Sequence, residues 1–87
     1  MADELILVVE DDDDIQELLE YSLQNEGYRV DVTDRGEEAL ELIAENRPSL
    51  VVLDLMLPGL DGLEVCRRLK KSERTSDVPV VILTAKG

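Results

Sequence analysis

Apolar residues in this chain follow two alternating patterns. Leu5–Val9, Leu50–Leu53 and Val78–Leu83 are short, β-prone apolar runs of the kind that form buried strands. Between them, apolar side chains recur at helical spacing. One set is Ile15, Leu18, Leu19 and Leu23. A second is Ala39, Leu40, Leu42 and Ile43, and a third is Leu63, Val65 or Cys66, and Leu69. Tyr28–Thr33 alternates instead, with Tyr28, Val30 and Val32 on one side, which predicts a strand with one less buried face. Gly27 supplies a stop for the first helix. Pro48 closes a second helix that starts near Glu37 and ends near Asn46, and a third is predicted from Leu63 to about Ser72. Met56-Leu57-Pro58-Gly59-Leu60-Asp61-Gly62 reads as a loop. The order β-α-β-α-β-α-β implies right-handed crossovers and a parallel sheet with helices on both faces.

Polar residues punctuate three of the strands at the same end. Glu10 and Asp11 follow Leu5–Val9, Asp54 follows Leu50–Leu53, and Thr84 follows the last run. Parallel strands would bring all of them to one carboxyl edge, where open α/β sheets bind ligands. Three carboxylates gathered there repel one another, and a divalent cation relieves that repulsion.

Composition narrows the class. The chain has 87 residues, 44% of them hydrophobic, which fits one small globular domain. Its only aromatics are Tyr21 and Tyr28, so the core must be aliphatic. A net charge of −12, from 21 acidic and 9 basic residues, argues against direct binding to a phosphate backbone. The lone Cys66 allows no intrachain disulfide and fits a reducing cytoplasm, the expected location. No apolar stretch approaches the ~20 residues of a membrane helix, and the acidic start does not resemble a signal peptide.

The run Glu10-Asp11-Asp12-Asp13-Asp14 admits a solvated charge block, helix capping or metal ligation. Asp12, Asp13 and Asp14 suit the start of a helix, whereas Glu10 and Asp11 abut a buried strand at the binding edge. The spacing does not match an EF-hand loop. An oxygen-only set without histidine favours Mg²⁺ or Mn²⁺ over zinc. Asp54 could be a turn residue or, beside a cation, a nucleophile toward phosphorus that forms an aspartyl phosphate. Thr84 could hydrogen-bond a phosphoryl oxygen or be a plain β-branched strand residue.

Three motifs carry a resemblance. They are Leu7-Val8-Val9-Glu10-Asp11-Asp12, then Asp54-Leu55-Met56-Leu57-Pro58-Gly59-Leu60-Asp61-Gly62 after Leu53, and Val80-Val81-Ile82-Leu83-Thr84-Ala85. With them the chain resembles the receiver domain of bacterial two-component response regulators, and the Asp-x-x-x-Pro-x-x-Asp-Gly loop is the best single marker. The resemblance implies a flavodoxin-like, doubly wound parallel α/β sheet of strand order 2-1-3-4. It implies that Asp54 is the phosphoacceptor for a partner histidine kinase. Asp11, Asp54 and the main-chain carbonyl of Met56 would bind Mg²⁺, with Glu10 acting through water and Thr84 as the switch hydroxyl. Met56 and Lys86 would flank the path of the hydrolytic water and tune the lifetime of the phosphoryl group. The Met-Leu-Pro-Gly and Leu-Thr-Ala-Lys-Gly wording is most similar to regulators with a winged-helix DNA-binding output domain, and the chain is expected to act as a signalling receiver rather than an enzyme.

The family continues through a further helix, a fifth strand and a last helix, for which residues 1–87 have no counterpart, including the lysine that follows the fifth strand. The chain therefore reads as a truncated receiver. Two other families fit less well. A haloacid-dehalogenase-like phosphatase wants an acid where Met56 stands, and a nucleotide-binding loop wants glycines where Glu10–Asp13 stand. The remaining alternative is a half-receiver fragment that self-assembles without phosphotransfer. The Val80–Leu83 run, left at a sheet edge, predicts self-association in any case, most simply as a homodimer.

Overall fold

A computed structural model describes residues 4–83 of the chain, so Thr84 and Lys86 lie outside the described residues. The elements follow the predicted order: β1 (Leu5–Val9), α1 (Asp13–Asn25), β2 (Arg29–Thr33), α2 (Gly36–Asn46), β3 (Leu50–Asp54), α3 (Gly62–Lys71) and β4 (Val80–Leu83). The strands form one parallel sheet in the order β2-β1-β3-β4, the flavodoxin-like order that the sequence predicted.

Strand alternation divides the core between the two faces of the sheet. Leu7, Val9, Val51 and Leu53 point to one face and pack with Ala39 and Ile43 of α2 and Val65 and Leu69 of α3. Ile6, Val8 and Val52 point to the other, against Leu19 and Leu23 of α1, Tyr28 just before β2, and Val30 and Val32 on it. β1 and β3 are central and nearly continuous in apolar character because both of their faces are covered.

Three expectations needed correction. The last strand was predicted from Val78 but starts at Val80. Pro79 has no N–H for the ladder, and the Val78 N–H is already committed to Thr75 O at 3.0 Å in the preceding turn. Val78 is nevertheless buried in the core, which is why it read as strand. Leu63 was expected to be buried but is 61% exposed. It lies about 200° around α3 from Val65, and Val65 and Leu69 set the inward face. On α1 the predicted stripe splits: Leu19 and Leu23 reach the sheet, whereas Leu18 is 63% exposed and Ile15 also faces out. Leu18 sits about 100° around the helix from Leu19, off the ridge that covers β1 and β2.

Candidate functional site

Register builds the site. Val9 pairs with Leu53 across the β1–β3 ladder, so the next residues along, Glu10 and Asp54, come to the same level at the carboxyl edge. Asp54 is itself the last residue of β3 and pairs with Leu83, so the strand runs one residue further than predicted. Glu10 and Asp54 are both buried, at 3% and 5% exposure, while Asp11 is exposed. Glu10, Asp11 and Asp54 each offer a carboxylate oxygen, and these oxygens lie within 4.8 Å of one another.

The local hydrogen bonds orient two of these carboxylates. The Asp12 N–H donates to Glu10 Oε2 at 3.0 Å, and the Met56 N–H donates to Asp54 Oδ1 at 3.0 Å. Burial raises the Glu10 carboxyl above its ordinary pKa of 4.5; the Asp12 amide opposes that, and the nearby charge of Asp54 adds to it. No ion pair among the described residues involves any of the three. Two buried carboxylates and an exposed third, without a cationic partner among the described residues, form a donor set that suits a small hard cation taking oxygen ligands.

The flanking segments keep this edge open. Asp12 caps α1, its Oδ1 accepting from the N–H groups of Asp14 at 2.9 Å and Ile15 at 3.1 Å, and Asp13 and Asp14 occupy the first turn. The acidic run is thus divided between cap and cluster. Asp61 caps α3 by accepting from the Glu64 N–H at 3.0 Å. Between Asp11 and the β3–α3 loop lies a cleft of about 410 Å³, lined by Asp11, Leu55, Met56, Leu57, Pro58 and Asp61. The Met56 side chain is 70% exposed at its rim.

Glycine holds the loop against the site. A Cβ at Gly62 would stand 2.5 Å from the Asp54 carbonyl oxygen and 2.7 Å from Leu55 Cα, so only glycine lets α3 start against the end of β3. The Gly62 N–H donates to Leu55 O at 3.2 Å. In the sequence Gly62 reads as loop punctuation and as the last position of the family's Asp-x-x-x-Pro-x-x-Asp-Gly loop, with no packing role. Its place directly after the capping Asp61 was the available signal for a tight return. Cys66 is half-buried on α3, and burial pushes its thiol above the ordinary value, so it is no candidate nucleophile.

With this geometry the comparisons with known proteins agree. Residues 6–87 match the response regulator receiver domain family. The chain belongs to that family. This receiver is 51% identical over 82 residues to the transcriptional regulatory protein AfsQ1 of Streptomyces coelicolor, covering 94% of this chain and 35% of that protein. It is 53% identical over 81 residues to the response regulator MprA of a Mycobacterium species, covering 93% and 34%. It therefore spans about a third of the length of these curated relatives. Among solved structures it superposes with a TM-score of 0.92 on the receiver domain of the sensor histidine kinase PA1611 from Pseudomonas aeruginosa, with 34% identity, covering 98% of this chain and 70% of that one. That structure has a magnesium ion coordinated in its active-site cleft. No helix among the described residues is long and apolar enough to cross a membrane.

Proposed function

We propose that this receiver accepts a phosphoryl group on Asp54 from a histidine kinase, with Mg²⁺ or Mn²⁺ held by Glu10, Asp11 and Asp54. The observation that carries this reading is the convergence of the three carboxylates within 4.8 Å beside an open cleft. A carboxylate oxygen of Asp54 attacks phosphorus as the bond to the donor imidazole nitrogen breaks, and the bonding pair leaves with the imidazole. The Met56 N–H donates to Oδ1 at 3.0 Å and so orients the carboxylate that carries out the attack. The cation, when bound, neutralises charge on the transferring group. Asp11 and Asp54 are direct ligands in this reading, joined by the Met56 carbonyl, and Glu10 acts through water. Thr84 takes the switch role. Met56 and Lys86 bring no general base to the water path, which favours a long-lived aspartyl phosphate.

The output is transcriptional in this reading, through a DNA-binding domain elsewhere in the protein, since the relatives include transcriptional regulators. Incubation with a small phosphodonor and Mg²⁺, followed by intact mass, tests the central step. A gain of one phosphoryl group that Asp54→Asn abolishes is expected; the absence of any gain that depends on Asp54 would overturn the reading. A second, independent expectation concerns β4, an edge strand among the described residues, where Val81 and Ile82 are exposed. That edge supports self-association through β4. Sedimentation showing a monomer at every concentration, with Val81→Lys unchanged, would remove it.

A further inference from the structure

The main chain of Glu10 is gripped from two directions. Its N–H donates to Thr33 O at 3.0 Å, one step past the last paired residues of β1 and β2. Its carbonyl accepts from the side-chain amide Nε2 of Gln16, in the first turn of α1. The main chain of Gln16 is in turn fixed, because its own N–H closes that turn on Asp12 O at 2.9 Å and Asp12 is the cap. The Glu10 carbonyl belongs to the peptide plane that also contains the N and Cα of Asp11. Holding both polar groups of Glu10 therefore sets the point from which the Asp11 side chain departs. The Glu10 carboxylate has a separate anchor in the Asp12 N–H, and Asp54 has one in the Met56 N–H. Asp11 is the exposed member of the three, so it depends most on the backbone that carries it.

We propose that Gln16 is a positioning residue of the cation site, acting through the Glu10–Asp11 peptide to bring the Asp11 carboxylate over Glu10 and Asp54. This rests on the reading of the three carboxylates as a Mg²⁺ or Mn²⁺ site. The competing account makes Gln16 a stabiliser of the first turn of α1, with no bearing on metal. The two accounts differ in what they predict for Asp11. A positioning role vanishes when Asp11 can no longer ligate, whereas general loosening of the loop weakens binding in any background.

The experiment titrates Mn²⁺ alone, followed by paramagnetic resonance of the free ion, against the wild type, Gln16→Met, Asp11→Ala, Asp54→Asn and the double variant Gln16→Met/Asp11→Ala. Metal-free denaturant unfolding of each runs in parallel. Methionine keeps the length and helix preference of glutamine but cannot donate. Gln16→Met should weaken Mn²⁺ binding by about tenfold, the low end for groups that orient metal ligands from outside the coordination shell. In the Asp11→Ala background it should have no further effect. Wild-type affinity in Gln16→Met, or an equal loss in both backgrounds, overturns the inference; a loss explained by metal-free unfolding of Gln16→Met alone appears in both backgrounds and counts with the latter. If the wild type binds no Mn²⁺, or if Asp11→Ala and Asp54→Asn bind like the wild type, the site reading falls and this inference with it. If those two variants lose affinity while Gln16→Met does not, only this inference falls.

Discussion

The two ends of the sheet treat charge in opposite ways. At the carboxyl edge, Glu10 and Asp54 are buried together with no cationic partner among the described residues, and Asp11 stands beside them. At the amino edge, charge is exposed and paired. Arg47, just after α2, donates to both carboxylate oxygens of Asp77 at 3.1 Å and also to the Arg74 carbonyl. The buried Thr75 hydroxyl donates to Leu69 O at 2.8 Å beneath that pair. The amino edge is thus a closed seam between α2 and the segment leading into β4. The carboxyl edge concentrates like charge where burial makes it most unfavourable, an arrangement that lowers the stability of the free protein and favours a bound cation.

The sharpest way to break this contrast is to push the β3–α3 loop off the site. Gly62→Ala places a Cβ against backbone at 2.5 and 2.7 Å, neither of which can yield cheaply. A loss of about 3 kcal/mol in denaturant unfolding is expected, at the upper end for overpacking. Gly59→Ala is the control: Gly59 has a φ of +72° and its Cβ would meet only Glu37 Oε2, at an ordinary contact distance of 3.7 Å, so it should lose only about 1 kcal/mol.

Removing one carboxylate should act in the other direction. Asp54→Asn keeps an acceptor for the Met56 N–H and relieves the repulsion with Glu10 and Asp11. The metal-free protein should gain about 1 kcal/mol, and saturating Mg²⁺ should no longer raise its melting temperature. A metal-free loss of stability would show that the cluster is not repulsive.

The pH dependence of stability should also have opposite signs at the two edges. The folded Glu10 carboxyl titrates above 4.5, chiefly through burial, so the native state holds that proton more tightly than the unfolded chain does. Its contribution is present below 4.5 and lost as pH rises through the raised folded value. Asp77 is held below its ordinary 3.8 by the hydrogen bonds from Arg47, so its contribution is present above 3.8 and lost as pH falls through the lowered value. In metal-free protein, Glu10→Gln should therefore gain on the wild type as pH rises from 4.5. Asp77→Asn should converge with the wild type as pH falls below 3.8, with the smaller amplitude because that pair is exposed and screened.

The amino edge offers a further test at Arg47 itself. It is the one non-glycine residue with positive φ among the described residues, at 43°, and it ends α2 in the left-handed conformation. Arg47→Ala loses the exposed ion pair and keeps the strained backbone, whereas Arg47→Gly loses the pair and relaxes the backbone. The glycine variant should be the more stable of the two by about 1 kcal/mol in thermal unfolding.

The sequence by itself determined the order of elements, the identity of the central strands and the edge at which Glu10, Asp11 and Asp54 meet. These follow from local periodicity and from the parallel connection rule, because a residue just past a buried parallel strand has only one edge to occupy. The capping role of Asp12 was legible for the same reason, since a cap bonds within three residues of itself. Tertiary structure decided the rest. Leu18 and Leu63 carry the same hydrophobic signal as Leu19 and Val65, and only the docking of α1 and α3 on the sheet chose between them. Arg47 meets Asp77 thirty residues away, and Gly62 meets the Asp54 carbonyl across the turn of a loop. Gln16 meets the Glu10 carbonyl because α1 leaves the sheet at one particular angle. Contacts of this kind depend on helix rotation and strand register, which periodicity constrains to a face but only close packing against a neighbouring element resolves to a residue.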